Sequence, residues 1–398
     1  MPPITTGIDI GTQQIKVLIA TQPADQNKKA VPRILGAGSA ETRGLHHGFI
    51  INSEEVKRGL REALKDAERS AGVTINNCRL AVGGVGMSSI VSTGKTAIAR
   101  GDMEVSANDL KAVNEAAENE IPSSLSINRK IIHSIPLEYR LDGQPVLGSS
   151  QPLGLKGSNL EVSTLFITIL EHHLTDLIEA VEDMDIKVID VSASPMAASL
   201  TSLSATQKKA GCVLTNIGAE TTSIVVFEKD LPVSLEVFPI GGTDITNDIA
   251  LGLQIPLEEA EAIKIGELTY PDLPTEEIDK IVTHRLKEIF SSVNSHLKKI
   301  KRQGLLPAGI VITGGTASMK KTKEIAMKTL KLPTSVPPYD QDQDRSKNTA
   351  INSAWSVAYG LCIIGLSEDG RSSSGFSFNQ HLVNTPKKFL GWLKQFLP

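Results

Sequence analysis

Residues 7–16 read GIDIGTQQIK. Ile4, Ile8 and Ile10 precede Gly11-Thr12, and Ile15-Lys16-Val17-Leu18-Ile19-Ala20 follow. Short β-branched runs broken at a glycine predict a hairpin. Asp9 stands on its first strand, and Lys16 lies five residues beyond Gly11. A glycine turn exposes backbone N–H groups with little side-chain obstruction. Such groups cradle phosphate, a lysine neutralises it, and an acid placed like Asp9 holds Mg²⁺ through water.

The same pattern returns at 213–226, VLTNIGAETTSIVV: strand, polar residue, glycine, threonine-rich turn, strand. A third glycine turn, IVITGGTASM at 310–319, follows an apolar strand and precedes a lysine-rich helix. Its Gly314-Gly315 pair lets a flat ring approach the backbone. One such turn does not separate a plain hairpin from a ligand loop; three in this order do. Two β-rich stretches, each opening on a glycine turn and separated by helices, predict a duplicated α/β architecture.

Between the turns, SEEVKRGLREALKDAERSA (53–71) carries Val56, Leu60, Ala63, Leu64 and Ala67 at helical spacing, with Ser53 as N-cap. A strand is expected at 79–83. From 84 to 165 the texture changes: Gly, Ser and Thr dominate 83–96, then a helix is expected at 106–120 and strands at 130–139 and 162–170. This reads as a small α+β unit inserted in the first domain. Helices at 172–184 and 195–203 and strands at 187–191, 211–227 and 232–239 follow. One long helical region is expected over 256–303, then a strand at 309–315.

The 398 residues give room for about two or three domains. Apolar residues at 40% and charged residues at 22% exclude a wholly disordered chain. A net charge of −4 gives no basic excess for nucleic acid. Cys78, Cys212 and Cys362 lie far apart without CxxC spacing, which argues against a disulfide framework or a zinc ribbon and fits a reducing cytosol. Neither a signal peptide nor an apolar stretch of about 18 residues is legible. The pairs His46-His47 and His172-His173 lack HExxH spacing and predict no metal site. His133 is expected on a strand in a packed or exposed role, and no Ser/His/Asp assembly is legible.

Aromatic residues are scarce at 4%, yet Phe376, Phe378, Phe389, Trp392 and Phe396 crowd into the last 23 positions. Residues 367–385 hold five serines and read as a flexible linker. PKKFLGWLKQFLP (386–398) follows. On a helical wheel Phe389, Leu390, Trp392, Leu393, Phe396 and Leu397 fill an arc of about 160°, and Lys387, Lys388 and Lys394 lie opposite. That segregation predicts an interfacial helix on anionic lipid.

Taken together, the three turns resemble those of the actin, heat-shock chaperone and sugar-kinase superfamily, and within it the FtsA family. GIDIGTQQIK looks like the first phosphate loop, NIGAETT the second and ITGGTASM the adenosine motif. PLEEAEAIKI (256–265) is similar to the helix that sets a Glu and a Lys, here Glu261 and Lys264, near ribose and adenine. The insert, with HSIPLEYRLDG, resembles the FtsA subdomain IC, and the terminal helix also fits. The resemblance implies an α/β, actin-like fold: two ribonuclease-H-like domains, a nucleotide cleft between them, and the IC insert. It implies subdomain IA at 1–83 with 166–203 and part of 355–366, IC at 84–165, IIA at 204–242 and 307–354, and IIB at 243–306. The linker at 367–385 and the membrane helix at 386–398 complete the division.

It further implies ATP with Mg²⁺ as cofactors. Asp9, Gly11, Thr12, Gln13, Gln14, Lys16, Asn216, Gly218, Ala219, Glu220, Thr221 and Thr222 should meet phosphate or its metal. Glu261, Lys264, Gly314, Gly315 and Thr316 should meet the nucleoside. The implied partners are the C-terminal peptide of FtsZ, other copies of the chain in filaments, anionic membrane lipid, and downstream division proteins through IC. Lys298-Lys299-Ile300-Lys301-Arg302 reads first as a solvated helix face; with Arg285, the residues Lys301 and Arg302 are the candidates for an acidic peptide segment. The implied location is the cytoplasmic face of the membrane at the division site.

The chain departs from the family pattern in three places. Asn216 stands where the second loop usually has Asp, Glu220 interrupts its glycine-rich run with a carboxylate where phosphate would approach, and Ser194-Pro195 replaces Glu-Pro. A neutral amide neither holds Mg²⁺ nor draws a proton from water, so weak or absent hydrolysis is expected. A soluble sugar or metabolite kinase would share the cleft but has no use for the tail. A pilus-assembly actin homologue would share the insert but docks a peptide in place of lipid.

Overall fold

The computed structural model describes residues 3–22, 32–99, 101–146, 152–268, 275–319, 321–337 and 352–369. The linker beyond 369 and the expected helix at 386–398 lie outside the described residues.

Lobe I begins with the meander β1 (Ile4–Ile10), β2 (Gln14–Thr21) and β3 (Arg33–Glu41), then the short ribbon β4 (Leu45–His46) and β5 (Phe49–Ile50). Helix α1 (Ser53–Ala71) leads to β6 (Asn77–Val82), which lies parallel to β1. Asn52, one residue before the expected N-cap, caps α1: its backbone is extended and its side chain accepts the Glu55 N–H at 3.3 Å. The predicted apolar face, Val56, Leu60, Ala63, Leu64 and Ala67, is buried against β3. Gly38 permits that approach, since a Cβ there would lie 2.0 Å from the Ala63 carbonyl oxygen.

The insert follows as β7 (Ser88–Ala97), α2 (Ala107–Asn119), α3 (Ser123–Ser126), β8 (Arg129–Leu141), β9 (Gln144–Pro145) and β10 (Asn159–Leu170). Leu110, Val113 and Ala117 of α2 close a small core with Leu160, Val162 and Phe166 of β10. The Gly/Ser/Thr-rich texture of 83–96 conceals β7, a strand of ten residues. The chain then returns to lobe I through α4 (Glu171–Glu182), β11 (Lys187–Ala193) and α5 (Ser194–Ser202).

Lobe II comprises α6 (Ala205–Ala210), β12 (Cys212–Ile217), β13 (Thr222–Glu228), β14 (Leu231–Phe238), α7 (Gly242–Leu253), α8 (Leu257–Ile265), α9 (Thr275–Lys299), β15 (Ile310–Thr313), α10 (Thr322–Leu330) and β16 (Thr334–Ser335). The single helical region expected over 256–303 is two helices; Gly266, left-handed at φ 80°, stops α8. Helix α11 (Ser356–Asp369) runs back over lobe I and takes in residues 367–369, the start of the expected linker.

The two lobes repeat one topology. Lobe I orders its strands β11-β6-β1-β2-β3, and lobe II orders them β16-β15-β12-β13-β14. In both, the first three strands pair antiparallel and the other two join in parallel. The β1–β2 and β12–β13 turns therefore occupy equivalent places. The insert extends the lobe II sheet to nine strands through a Glu236–Ser88 pairing between β14 and β7. The Ser89 hydroxyl reinforces this junction, donating to the Leu235 carbonyl at 2.8 Å and accepting the Leu235 N–H at 2.7 Å. Sequence alone gives no sign of this continuity.

Candidate functional site

The first turn is rigid at its base. Register pairs Asp9 with Lys16 across β1 and β2, which puts both side chains on one face. Gly11 N–H donates to Gln14 O at 3.2 Å, and Thr42 N–H donates to Gln13 O at 2.9 Å. Among the described residues, no protein group accepts the N–H of Thr12 or Gln13. Burial pushes the Asp9 carboxyl up and the Lys16 ammonium down, and each charge partly offsets the other's shift. No ion pair within 4 Å joins them among the described residues. Two desolvated charges of opposite sign at a turn with free donors suit a phosphate carrying Mg²⁺.

The second turn is held by the start of α7. Gly218 N–H donates to Thr221 O at 2.9 Å, and the Thr222 hydroxyl to Ile240 O at 2.7 Å. Gly242 N–H donates to Gly218 O at 2.9 Å and Thr243 N–H to Ala219 O at 2.7 Å. This uses the turn's carbonyls and leaves the N–H groups of Ala219, Glu220 and Thr221 without an acceptor among the described residues. A Cβ on Gly241 would lie 2.4 Å from Ala219 O, so the Gly241-Gly242 pair is part of the site. Glu220 does not point into its own loop. Its carboxylate accepts the His47 N–H at 2.5 Å and lies 3.6 Å from the His46 ring. That charge is directed to a contact with the other lobe.

The third turn closes the group. Gly314 has φ 93°, and Gly315–Ser318 form one turn of 3₁₀-helix. A Cβ on Gly314 would meet Ile217 O at 2.4 Å and Asn216 Oδ1 at 2.5 Å, which places Asn216 beside this turn. Thr316 Oγ1 would lie 2.8 Å from a Cβ on Gly242. Lys264 Nζ reaches Glu261 Oε2 at 2.6 Å, Gly242 O at 3.1 Å and Thr246 Oγ1 at 2.8 Å; Thr246 in turn donates to Glu261 Oε2 at 2.5 Å. Turns two and three thus share one cluster with Glu261, Lys264 and the start of α7. Among the described residues, no hydrogen bond or ion pair joins turn one to it. Gly241, Gly242 and Thr246 were not singled out from the sequence, although a glycine doublet ahead of TDITND was a legible helix start.

The basic residues behave differently. Arg285 forms a two-pronged pair with Asp248 at 2.6 and 2.8 Å and bonds Glu288 at 2.8 Å. Those carboxylates push its pKa further up. Arg302 pairs with Glu228 at 2.5 Å. At 1.5 Å per residue, Arg285 sits roughly 20 Å along α9 from the end that leads to Lys301 and Arg302. The Ser194 hydroxyl donates to Val82 O at 2.9 Å. His133, on β8 and half-buried, accepts the Ala193 N–H at Nε2 at 3.0 Å. Among the described residues no cluster of His, Cys, Asp and Glu has metal-holding geometry, and no helix is long and apolar enough to cross a membrane.

Two equivalent five-strand cores, each with a glycine turn after its first strand, define an actin-like α/β fold carrying an inserted α+β unit. Among solved structures, a chain of a PilM–PilN type IV pilus biogenesis complex matches with a TM-score of 0.65 at 19% identity, over 91% of this chain and 98% of that one. MreB5 of Spiroplasma citri bound to ADP matches at 0.53 and 13% identity, over 93% and 99%. At these identities the likeness establishes fold alone. The family model "Cell division protein FtsA" matches residues 213–360, and "SHS2 domain inserted in FTSA" matches 84–168. The cell division protein FtsA of Pseudomonas aeruginosa is 28% identical over 96% of this chain and 94% of its own length. That of Bacillus subtilis is 29% identical over 81% and 76%. The chain belongs to the FtsA family of cell division proteins.

Proposed function

We propose that this chain binds ATP with Mg²⁺ between its lobes, assembles into filaments, and tethers FtsZ to the cytoplasmic face of the membrane at the division site. The observation that carries the reading is the paired arrangement of turns one and two, each presenting unsatisfied backbone N–H groups at equivalent ends of two duplicated sheets. Lys16 with the N–H groups of Thr12 and Gln13 takes one side of the phosphates, and those of Ala219 to Thr221 the other. Asp9 would hold Mg²⁺ through water, and the metal would neutralise phosphate charge there. Glu261, Lys264, Gly314, Gly315 and Thr316 hold the nucleoside. Asn216 carries no charge with which to activate a water, so hydrolysis is slow or absent and nucleotide serves to hold the closed, polymer-competent form.

The subdomain division given above belongs to this proposal: IA and IC in the first lobe, IIA and IIB in the second, with residues 386–398 as the lipid anchor. The insert takes downstream division proteins, and IIB takes the acidic FtsZ tail peptide. A ligand that uses Arg285 together with Lys301 and Arg302 must compete with Asp248 and Glu228 and span the roughly 20 Å between them. A pilus-assembly role, which the solved-structure likeness alone allows, has no use for the cationic apolar terminus.

The experiment is negative-stain microscopy of the full chain on anionic lipid monolayers with and without Mg·ATP. Ordered filaments on lipid, dependent on nucleotide, are expected; a soluble, unassembled protein in both conditions would overturn the proposal.

A further inference from the structure

Glu220 and His47 are 173 residues apart in sequence and meet across the lobes. The contact is double. The Glu220 carboxylate accepts the His47 N–H at 2.5 Å, and His47 Nδ1 lies 3.0 Å from the Glu220 carbonyl oxygen. A carbonyl only accepts, so Nδ1 carries the proton. His46 adds a third contact at 3.6 Å, although its exposed ring makes that pair worth little.

The receiving turn is built to hold this position. His47 has φ 50° and Gly48 φ 92°. Gly48 packs on Gly84, where a Cβ on Gly48 would lie 2.5 Å from the Gly84 Cα, and Val85 N–H donates to His47 O at 3.1 Å. His173 Nε2 meets Gly83 O at 2.8 Å, and the Phe49 ring lies 4.6 Å from the His173 ring. The β4–β5 turn is therefore anchored to the point where the insert leaves lobe I.

We propose that Glu220 is an interlobe latch, a positioning residue that holds the second phosphate turn against lobe I and sets how long a nucleotide stays in the cleft. The proposal rests on the nucleotide reading above. Turning its carboxylate towards His47 fixes the Ala219–Thr221 backbone with its N–H groups still free. Nucleotide departure by lobe opening then requires both His47 bonds to break.

Two measurements on the full chain test it, using wild type, Glu220→Ala and Glu220→Gln. In nucleotide-free protein, hydrogen–deuterium exchange should accelerate at 45–49, where the His47 N–H loses its acceptor, in Glu220→Ala. Glu220→Gln, whose amide oxygen still accepts, should stay near wild type. Stopped-flow displacement of a fluorescent ATP analogue should give a dissociation rate about tenfold faster in Glu220→Ala and little changed in Glu220→Gln. Unaltered exchange at 45–49 overturns the latch. Unaltered dissociation with binding intact overturns its control of residence. Absence of binding by the wild type fails the nucleotide reading instead, and exchange still reports whether the latch exists.

Discussion

Removing residues 386–398 is expected to reduce co-sedimentation with anionic liposomes from a bulk fraction to background, a loss of more than about tenfold for the assembled protein. Six apolar side chains, each half-buried in lipid at about 1 kcal/mol, supply roughly 6 kcal/mol before ordering costs. An isolated helix of about 13 residues is marginal in water, so an anchor of this length is expected to give up part of that gain on ordering at the bilayer. On the proposed function, one copy should attach weakly and many copies on one filament firmly, through effective concentration. Reversing the charge at Lys387, Lys388 and Lys394 should weaken binding to anionic vesicles and leave neutral vesicles little affected. Undiminished sedimentation of the truncated chain would remove the anchor from the account.

The second large effect is expected at Gly314. Alanine there must hold φ near 93°, a conformation that L side chains rarely adopt, with its Cβ 2.4 Å from Ile217 O and 2.5 Å from Asn216 Oδ1. Backbone strain of about 1–3 kcal/mol and overpacking of about 1–3 kcal/mol both act on the turn that is to seat the nucleoside. Gly314→Ala should lower nucleotide affinity by at least about tenfold and shift the denaturation midpoint downwards. Gly315→Ala is its control: nothing lies within 4 Å of the added Cβ, and its stability should match wild type. Equal affinity in wild type and Gly314→Ala would remove the third turn from the site.

Part of this site was legible because its signals are local. A glycine between β-branched runs announces a turn whatever the tertiary context, so all three turns read directly. The duplicated architecture followed from their recurrence. Helix α1 read well because Val56, Leu60, Ala63, Leu64 and Ala67 repeat at the helical period. Misreadings arose where neighbours far along the chain decide. Glu220 looks obstructive in its own loop because its acceptor role depends on His47 in the other lobe. Gly241 and Gly242 look like an ordinary helix start until the close approach of Ala219 O and Thr316 Oγ1 is seen. Strand β7 was hidden because its apolar Ile90 and Val91 are few among Ser, Thr and Gly. Its pairing with β10 and with Glu236 of β14, not propensity, makes it a strand. Gly266, by contrast, was a legible C-cap that the continuous helical pattern of 256–303 concealed.

The most direct test of the central claim is an equilibrium titration of the full chain with a fluorescent ATP analogue in the presence of Mg²⁺, competed by unlabelled ATP. The account predicts saturable binding at one site per chain, displaced fully by ATP. No saturable binding, or binding that unlabelled ATP fails to displace, would contradict it.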